Sequence, residues 1–170
     1  HARNGDRVYA TMRDIGGKNS GIAGGLRTLA AAEHLDLRVI ELDVTSTPSV
    51  DSAAAQILKE SGAPDVVVNN AGIGVAGAFL DTPAEQFDRV LDVNLGGVVN
   101  GCRAFARRLV DRGTGGHIVN VASMAAYAPL SSLNAYCTSK AAVYMFSDCL
   151  RAELAAAGVG LTPICPGVVN

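Results

Sequence analysis

His117-Ile118-Val119-Asn120-Val121-Ala122-Ser123 is a short apolar run rich in β-branched residues. A long segment of helical periodicity, Asn134–Ala157, follows it, and then a second short run, Gly160–Ile164. A strand, a helix and a strand in this order make a βαβ unit, because parallel neighbours need a crossover between them. The same alternation extends upstream. Strands are expected at Arg7–Thr11, Leu37–Leu42 and Asp65–Val68, and helices at about Gly24–Glu33, Thr47–Ser61 and Pro83–Asp111. Apolar strands separated by helices predict an α/β fold, a doubly wound parallel sheet covered on both faces in three αβα layers.

Local signals place the ends of these elements. Thr82-Pro83 sets a capping residue before a proline at the first helical position. Gly96-Gly97 interrupts the long third helix, so close backbone packing or a local distortion is expected there, next to Asn94. Gly113–Gly116 reads as a turn, Gly158 as a left-handed helix cap, and Gly16–Gly25 as a loop. No internal repeat is visible.

The 170 residues, 49% apolar and 18% charged, suit one domain spanning residues 1–170. Net charge is −2, and no basic cluster exceeds the pair Arg107-Arg108, so the electrostatic footprint of a nucleic-acid binder is missing. Apolar runs fall well short of the roughly 18 residues a membrane span requires, and the expected location is the cytoplasm. Cys102, Cys137, Cys149 and Cys165 are widely spaced, and His1, His34 and His117 are scattered, so no metal site is expected.

Tyr136-Cys-Thr-Ser-Lys140 places a phenol and an ammonium four residues apart, on one face of a helix and one turn from each other. A fixed cation beside a phenol favours the phenolate and suits it to proton transfer. Ser123 ends the quoted strand, where side chains at the carboxyl edge of a parallel sheet face the ligand crevice. Asn69-Asn70-Ala71-Gly72 follows the strand Val66-Val-Val, with small residues where a flat cofactor needs close backbone approach. Asn94 sits on the helix beyond.

These pieces, in this order, resemble the short-chain dehydrogenase/reductase family over essentially the whole chain. Its motif residues fall on Asn69–Gly72, Asn94, Ser123, Tyr136 with Lys140, and Pro166-Gly167. The resemblance implies a Rossmann-like fold and hydride transfer between a nicotinamide cofactor and a secondary alcohol or ketone. It makes Tyr136 the general acid/base and Ser123 the holder of the carbonyl oxygen. Lys140 would grip the nicotinamide ribose and tune Tyr136, and Asn94 would hold a water linking Lys140 to solvent. Asn70, Ala71, Gly72, Pro166, Gly167 and Val169 would line the cofactor, and Asp43-Val44 would contact adenine. From Asp65 on, the chain also resembles actinobacterial members of the family, some of them fused to an α/β-hydrolase domain, which hints at a lipid-like substrate.

The end of the first strand bears on cofactor choice. An NAD-preferring enzyme carries an acid there for the ribose 2′-hydroxyl. This chain has Met12 followed by Arg13, and a guanidinium suits a 2′-phosphate, so NADP(H) is expected and NAD(H) is the alternative. A non-catalytic NADP(H)-binding sensor or scaffold is a competing reading, which the intact Ser123, Tyr136 and Lys140 disfavour. A Rossmann methyltransferase would have no need of Tyr136 and Lys140 together.

The family's glycine-rich phosphate loop and its first strand are not found in these residues, nor is the substrate loop beyond Pro166-Gly167. In the doubly wound order that strand lies between the runs at Arg7–Thr11 and Asp65–Val68, so two unpaired central edges are expected, and residues 1–170 alone are expected not to fold stably. A homodimer or homotetramer is expected through the helices Pro83–Asp111 and Asn134–Ala157, with Phe105, Leu109, Tyr144 and Phe146 supplying apolar area.

Overall fold

The computed structural model describes residues 1–167. Five parallel strands alternate with helices: β1 Val8–Met12, α1 Ser20–Ala32, β2 Leu37–Glu41, α2 Thr47–Ser61, β3 Val66–Asn69, α3 Ala84–Leu91, α4 Gly97–Arg112, β4 Gly116–Val121, α5 Asn134–Ala155 and β5 Val159–Ile164. They form two sheets, β1-β2 and β3-β4-β5. Within each the register is regular: Val8 stands opposite Leu37, Val66 opposite His117, and Gly116 opposite Val159.

No strand pairing joins β1 to β3 among the described residues. The latter pairs on one side only, and Val66 and Val68 are 50% and 57% exposed, although their β-branched side chains suit a strand covered on both faces. Two apolar cores hold the layers together. One packs Ile118, Val159 and Leu161 of the larger sheet against Val98 and Leu109 of α4 and Val143 of α5. The other packs Ile40 of β2 against Val50 and Ile57 of α2 and Ala104 and Phe105 of α4. Helix α4 contributes to both cores, and Val67 of β3 packs against both, so these elements join the two sheets.

Several local expectations need correction. Helix α1 begins at Ser20, so half of the supposed Gly16–Gly25 loop is helical; tertiary packing of Ala23, fully buried, outweighs the low helix propensity of its neighbouring glycines. The long helix expected over Pro83–Asp111 is two α-helices separated by a π-helical turn, Asp92–Gly96. Gly97 follows it, and a side chain there would bring its Cβ within 2.8 Å of Val44, so the glycine pair marks the distortion and close packing expected. Thr82 does not cap α3; its hydroxyl donates to the Ala78 carbonyl, and Pro83 takes the N-cap position. Phe105 and Leu109 are buried in the two cores, so they offer no area to a second subunit. No helix among the described residues is long and apolar enough to cross a membrane.

Candidate active site

All three strands of the larger sheet are parallel, so their carboxyl ends lie on one side and the segments leaving them converge. From β3 the chain runs through Asn70–Gly74, from β4 to Ser123, and from β5 to Pro166-Gly167. With Tyr136 and Lys140 from the start of α5, these segments line a cavity of about 300 Å³. Asn70, Gly72, Ser123, Tyr136, Lys140, Pro166 and Gly167, all expected at the site, are therefore brought together.

Lys140 is 3% exposed and its Nζ lies 5.7 Å from the centre of the Tyr136 ring. Burial pushes the ammonium below the usual lysine range, with Cys165 opposing the shift in part. It donates to the Val121 carbonyl at 2.7 Å, and two of its three hydrogens remain for groups entering the cavity. A Cβ on Gly72 would stand 3.3 Å from both Lys140 Nζ and Asn94 Oδ1. The glycine thus leaves room for these side chains as well as for any bound group.

Ser123 has extended backbone and begins the 3₁₀ turn Met124–Ala126. Its Oγ accepts from the Ala125 N–H at 3.1 Å, which leaves its own hydrogen free to be donated. Asn94 does not line the cavity. Fully buried in the π-helical turn, it accepts from Ile73 N–H at 2.8 Å and donates to the Ile73 carbonyl and to Ser139 Oγ, each at 2.9 Å. Ser139 Oγ in turn donates to the Tyr136 carbonyl at 2.7 Å. Asn94 therefore acts from behind the site, fixing both the Asn70–Gly74 segment and the first turn of α5.

Arg13 and Asp43 meet elsewhere. They line a second cavity, of about 160 Å³, with Thr45, Arg89, Asp92 and Val93. Thr45 donates to Asp43 Oδ1 through its N–H at 2.9 Å and its hydroxyl at 2.7 Å. These bonds first, and then Arg13 and Arg89, hold the Asp43 carboxyl below the usual carboxylate range. Val44 lines neither cavity; its side chain fills the notch at Gly97 and its carbonyl accepts from Asn100 Nδ2 at 2.9 Å. Ala71 also lines neither, and Val169 lies outside the described residues.

Residues 7–170 match the family described as short chain dehydrogenase. The chain belongs to that family. Among its short chain dehydrogenase relatives is the protein named Probable oxidoreductase EphD of Mycobacterium tuberculosis, 77% identical over 129 residues, which are 76% of this chain and 22% of that protein. The 2-(R)-hydroxypropyl-CoM dehydrogenase of Xanthobacter autotrophicus is 38% identical over 77% of this chain and 53% of its own. The chain thus spans about a fifth to a half of the length of these curated relatives. Of the solved structures, a gluconate 5-dehydrogenase from Burkholderia cenocepacia in complex with NADP and tartrate superposes with a TM-score of 0.87 at 26% identity, covering 98% of this chain and 63% of that one. The doubly wound αβα fold expected from the strand and helix alternation is that of the family.

Sequence reading missed Ser139 and the Thr45, Arg89, Asp92, Val93 half of the second cavity. Ser139 carries no signal beyond its place inside the Tyr136–Lys140 spacing. Arg89 and Val93, four residues apart, share a helix face, but nothing in the sequence shows that Arg13 and Asp43 stand opposite that face.

Proposed function

We propose that the protein is an oxidoreductase that moves hydride between NADP(H), or alternatively NAD(H), and a secondary alcohol or ketone. The observation that carries this reading is the convergence of Ser123, Tyr136 and a buried Lys140 on one cavity. A nicotinamide cofactor would supply or accept the hydride. The chain's own residues handle the oxygen and its proton. Ser123 donates its free hydroxyl hydrogen to the substrate oxygen and holds it beside Tyr136, whose hydroxyl gives that oxygen a proton in reduction and takes it in oxidation. Lys140 places a positive charge next to the phenol and offers its two remaining hydrogens to a ribose. The Gly72 cradle, together with those unused buried donors, fits such a group.

NADP(H) is favoured by Arg13, which follows β1 and lines the second cavity. The gluconate 5-dehydrogenase, whose structure is a complex with NADP, is in keeping with this reading. A lipid-like substrate is supported by Met124, Tyr127 and Leu130, which follow Ser123 and are about half exposed. The protein would work in the cytoplasm as a homodimer or homotetramer. With Phe105 and Leu109 committed to the core, pairing through α5 would use Met145, 62% exposed.

Tyr136→Phe tests the assignment because it removes only the transferable proton. In the full chain it should cut kcat more than tenfold while leaving NADPH binding intact. Ser123→Ala should lose less, about ten- to hundredfold, since it deletes one hydrogen bond and spares the proton donor. A Tyr136→Phe enzyme keeping more than a tenth of wild-type kcat would refute the role.

A further inference from the structure

We propose that Arg89 is an adenine-binding residue, its guanidinium stacking on the adenine ring in the smaller cavity. This rests on the nucleotide-cofactor reading above. At about 160 Å³, the cavity has the size of a single bicyclic heterocycle rather than a dinucleotide, and its walls come from three separate parts of the chain. Val93 is 9% exposed and supplies an apolar surface. Arg89, one turn earlier and carried on α3, reaches the same cavity with a planar cation. Asp43, with Oδ1 held by Thr45, keeps Oδ2 for a donor at the edge. A flat ring bearing an exocyclic amine satisfies all three, having an aliphatic residue and a guanidinium for its faces and a carboxylate for its amine.

Charge separates the roles of the two arginines. The lining carries two guanidinium groups and two carboxylates, and both carboxylates, Asp43 and Asp92, border the cavity that Arg89 faces. Arg89 is exposed and enters no ion pair among the described residues, so its planar group is free to lie against a ring. Arg13 stands on the loop after β1, where a 2′-phosphate would add charge. A stacked guanidinium recognises adenine whether or not the ribose is phosphorylated, whereas a phosphate ligand tells NADPH from NADH.

Binding of NADPH and NADH to the full chain, followed by calorimetry, tests this. Arg89→Ala should weaken both cofactors by the same factor, about five- to thirtyfold for a desolvated guanidinium stack. Arg89→Lys should not restore affinity, because an ammonium keeps the charge and loses the plane. Arg13→Ala should act on NADPH alone. The thermal midpoint without cofactor should be unchanged in Arg89→Ala, which shows that the fold is intact. Unaltered affinity in Arg89→Ala, a loss confined to NADPH, or full rescue by Arg89→Lys would each overturn the stacking role and leave the oxidoreductase reading standing. Wild-type protein that bound neither dinucleotide would instead overturn the cofactor reading, and this inference with it.

Discussion

Asn94 and Ser139 are joined by a 2.9 Å hydrogen bond that ties the π-helical turn to the first turn of α5, at the residue directly before Lys140 whose hydroxyl also holds the Tyr136 carbonyl. Both hydrogens of the Asn94 amide are used, one on Ser139 and one on the Ile73 carbonyl, and its oxygen accepts from the Ile73 N–H. Asn94→Asp keeps the shape and replaces the donor by an oxygen facing two other oxygens, with a buried negative charge added. The cost should be about 3–5 kcal/mol by urea denaturation, the range for an uncompensated buried charge. A loss under about 1 kcal/mol would show that this amide is not the fixed point between the two elements.

Glycines on two helices should respond to alanine with opposite signs. A Cβ at Gly101 in α4 would fall 2.1 Å from Asn69 Oδ1 and 2.9 Å from its Cγ. That amide cannot swing away cheaply, because it donates to Asn120 Oδ1 at 2.8 Å while Asn120 donates to Ser147 Oγ at 2.9 Å. Gly101→Ala should therefore destabilise by about 1–3 kcal/mol, as overpacking does. Around Gly25 in α1 nothing lies within 4 Å of an added Cβ, so Gly25→Ala should stabilise by about 0.5–1 kcal/mol through helix propensity. Equal shifts in unfolding midpoint for the two variants would contradict the packing described.

The contrast between these glycines also shows what the sequence could reveal. Strand and helix alternation, and hence the fold class, were legible because apolar periodicity is local. Strand boundaries were read to within a residue or two, and Thr47–Ser61 matches α2 at both ends. Ser123, Tyr136 and Lys140 were legible because motif spacing and strand ends are enough to place them. Arg89 was not, since its importance depends on α3 passing beside Arg13 and Asp43, a tertiary relationship with no local trace. Phe105 and Leu109 were misassigned to a subunit contact for a related reason. Helix α4 packs against both sheets and so buries a wider arc than the single apolar stripe of a helix with one core face.

The four thiols should differ sharply in reactivity. Burial pushes Cys102 up to about 11, with the Asn120 and Asn69 amides pulling weakly the other way. Near pH 7 it is therefore protonated in both folded and unfolded chains; as pH rises through about 9 the unfolded thiol ionises first, and stability should fall. Cys149 is exposed. With iodoacetamide at pH 8, mass spectrometry should find Cys149 modified first and Cys102 last, since the thiolate is the reacting species. Early labelling of Cys102 under native conditions would mean that α4 opens locally.

Lys140 should trade stability for function. Its side chain is buried with one carbonyl partner, and desolvation lowers its proton affinity relative to the unfolded chain. A depressed folded-state value means that the unfolded chain binds more protons over the window from that value up to 10.5, so stability rises with pH there. Below the window the charged form carries its full burial cost. Lys140→Met keeps the length and removes the charge, so in the absence of cofactor it should unfold at higher urea than wild type at pH 7, and the gap should narrow as pH approaches 10.5. The same variant should lose at least tenfold in cofactor affinity, because the two hydrogens offered to the ribose are gone. Urea titrations of both proteins at pH 7 and pH 10 decide the matter: a Lys140→Met chain less stable than wild type at pH 7 would show that the bond to Val121 outweighs the desolvation of the ammonium, reversing the assignment of Lys140 as a residue kept for chemistry at the expense of the fold.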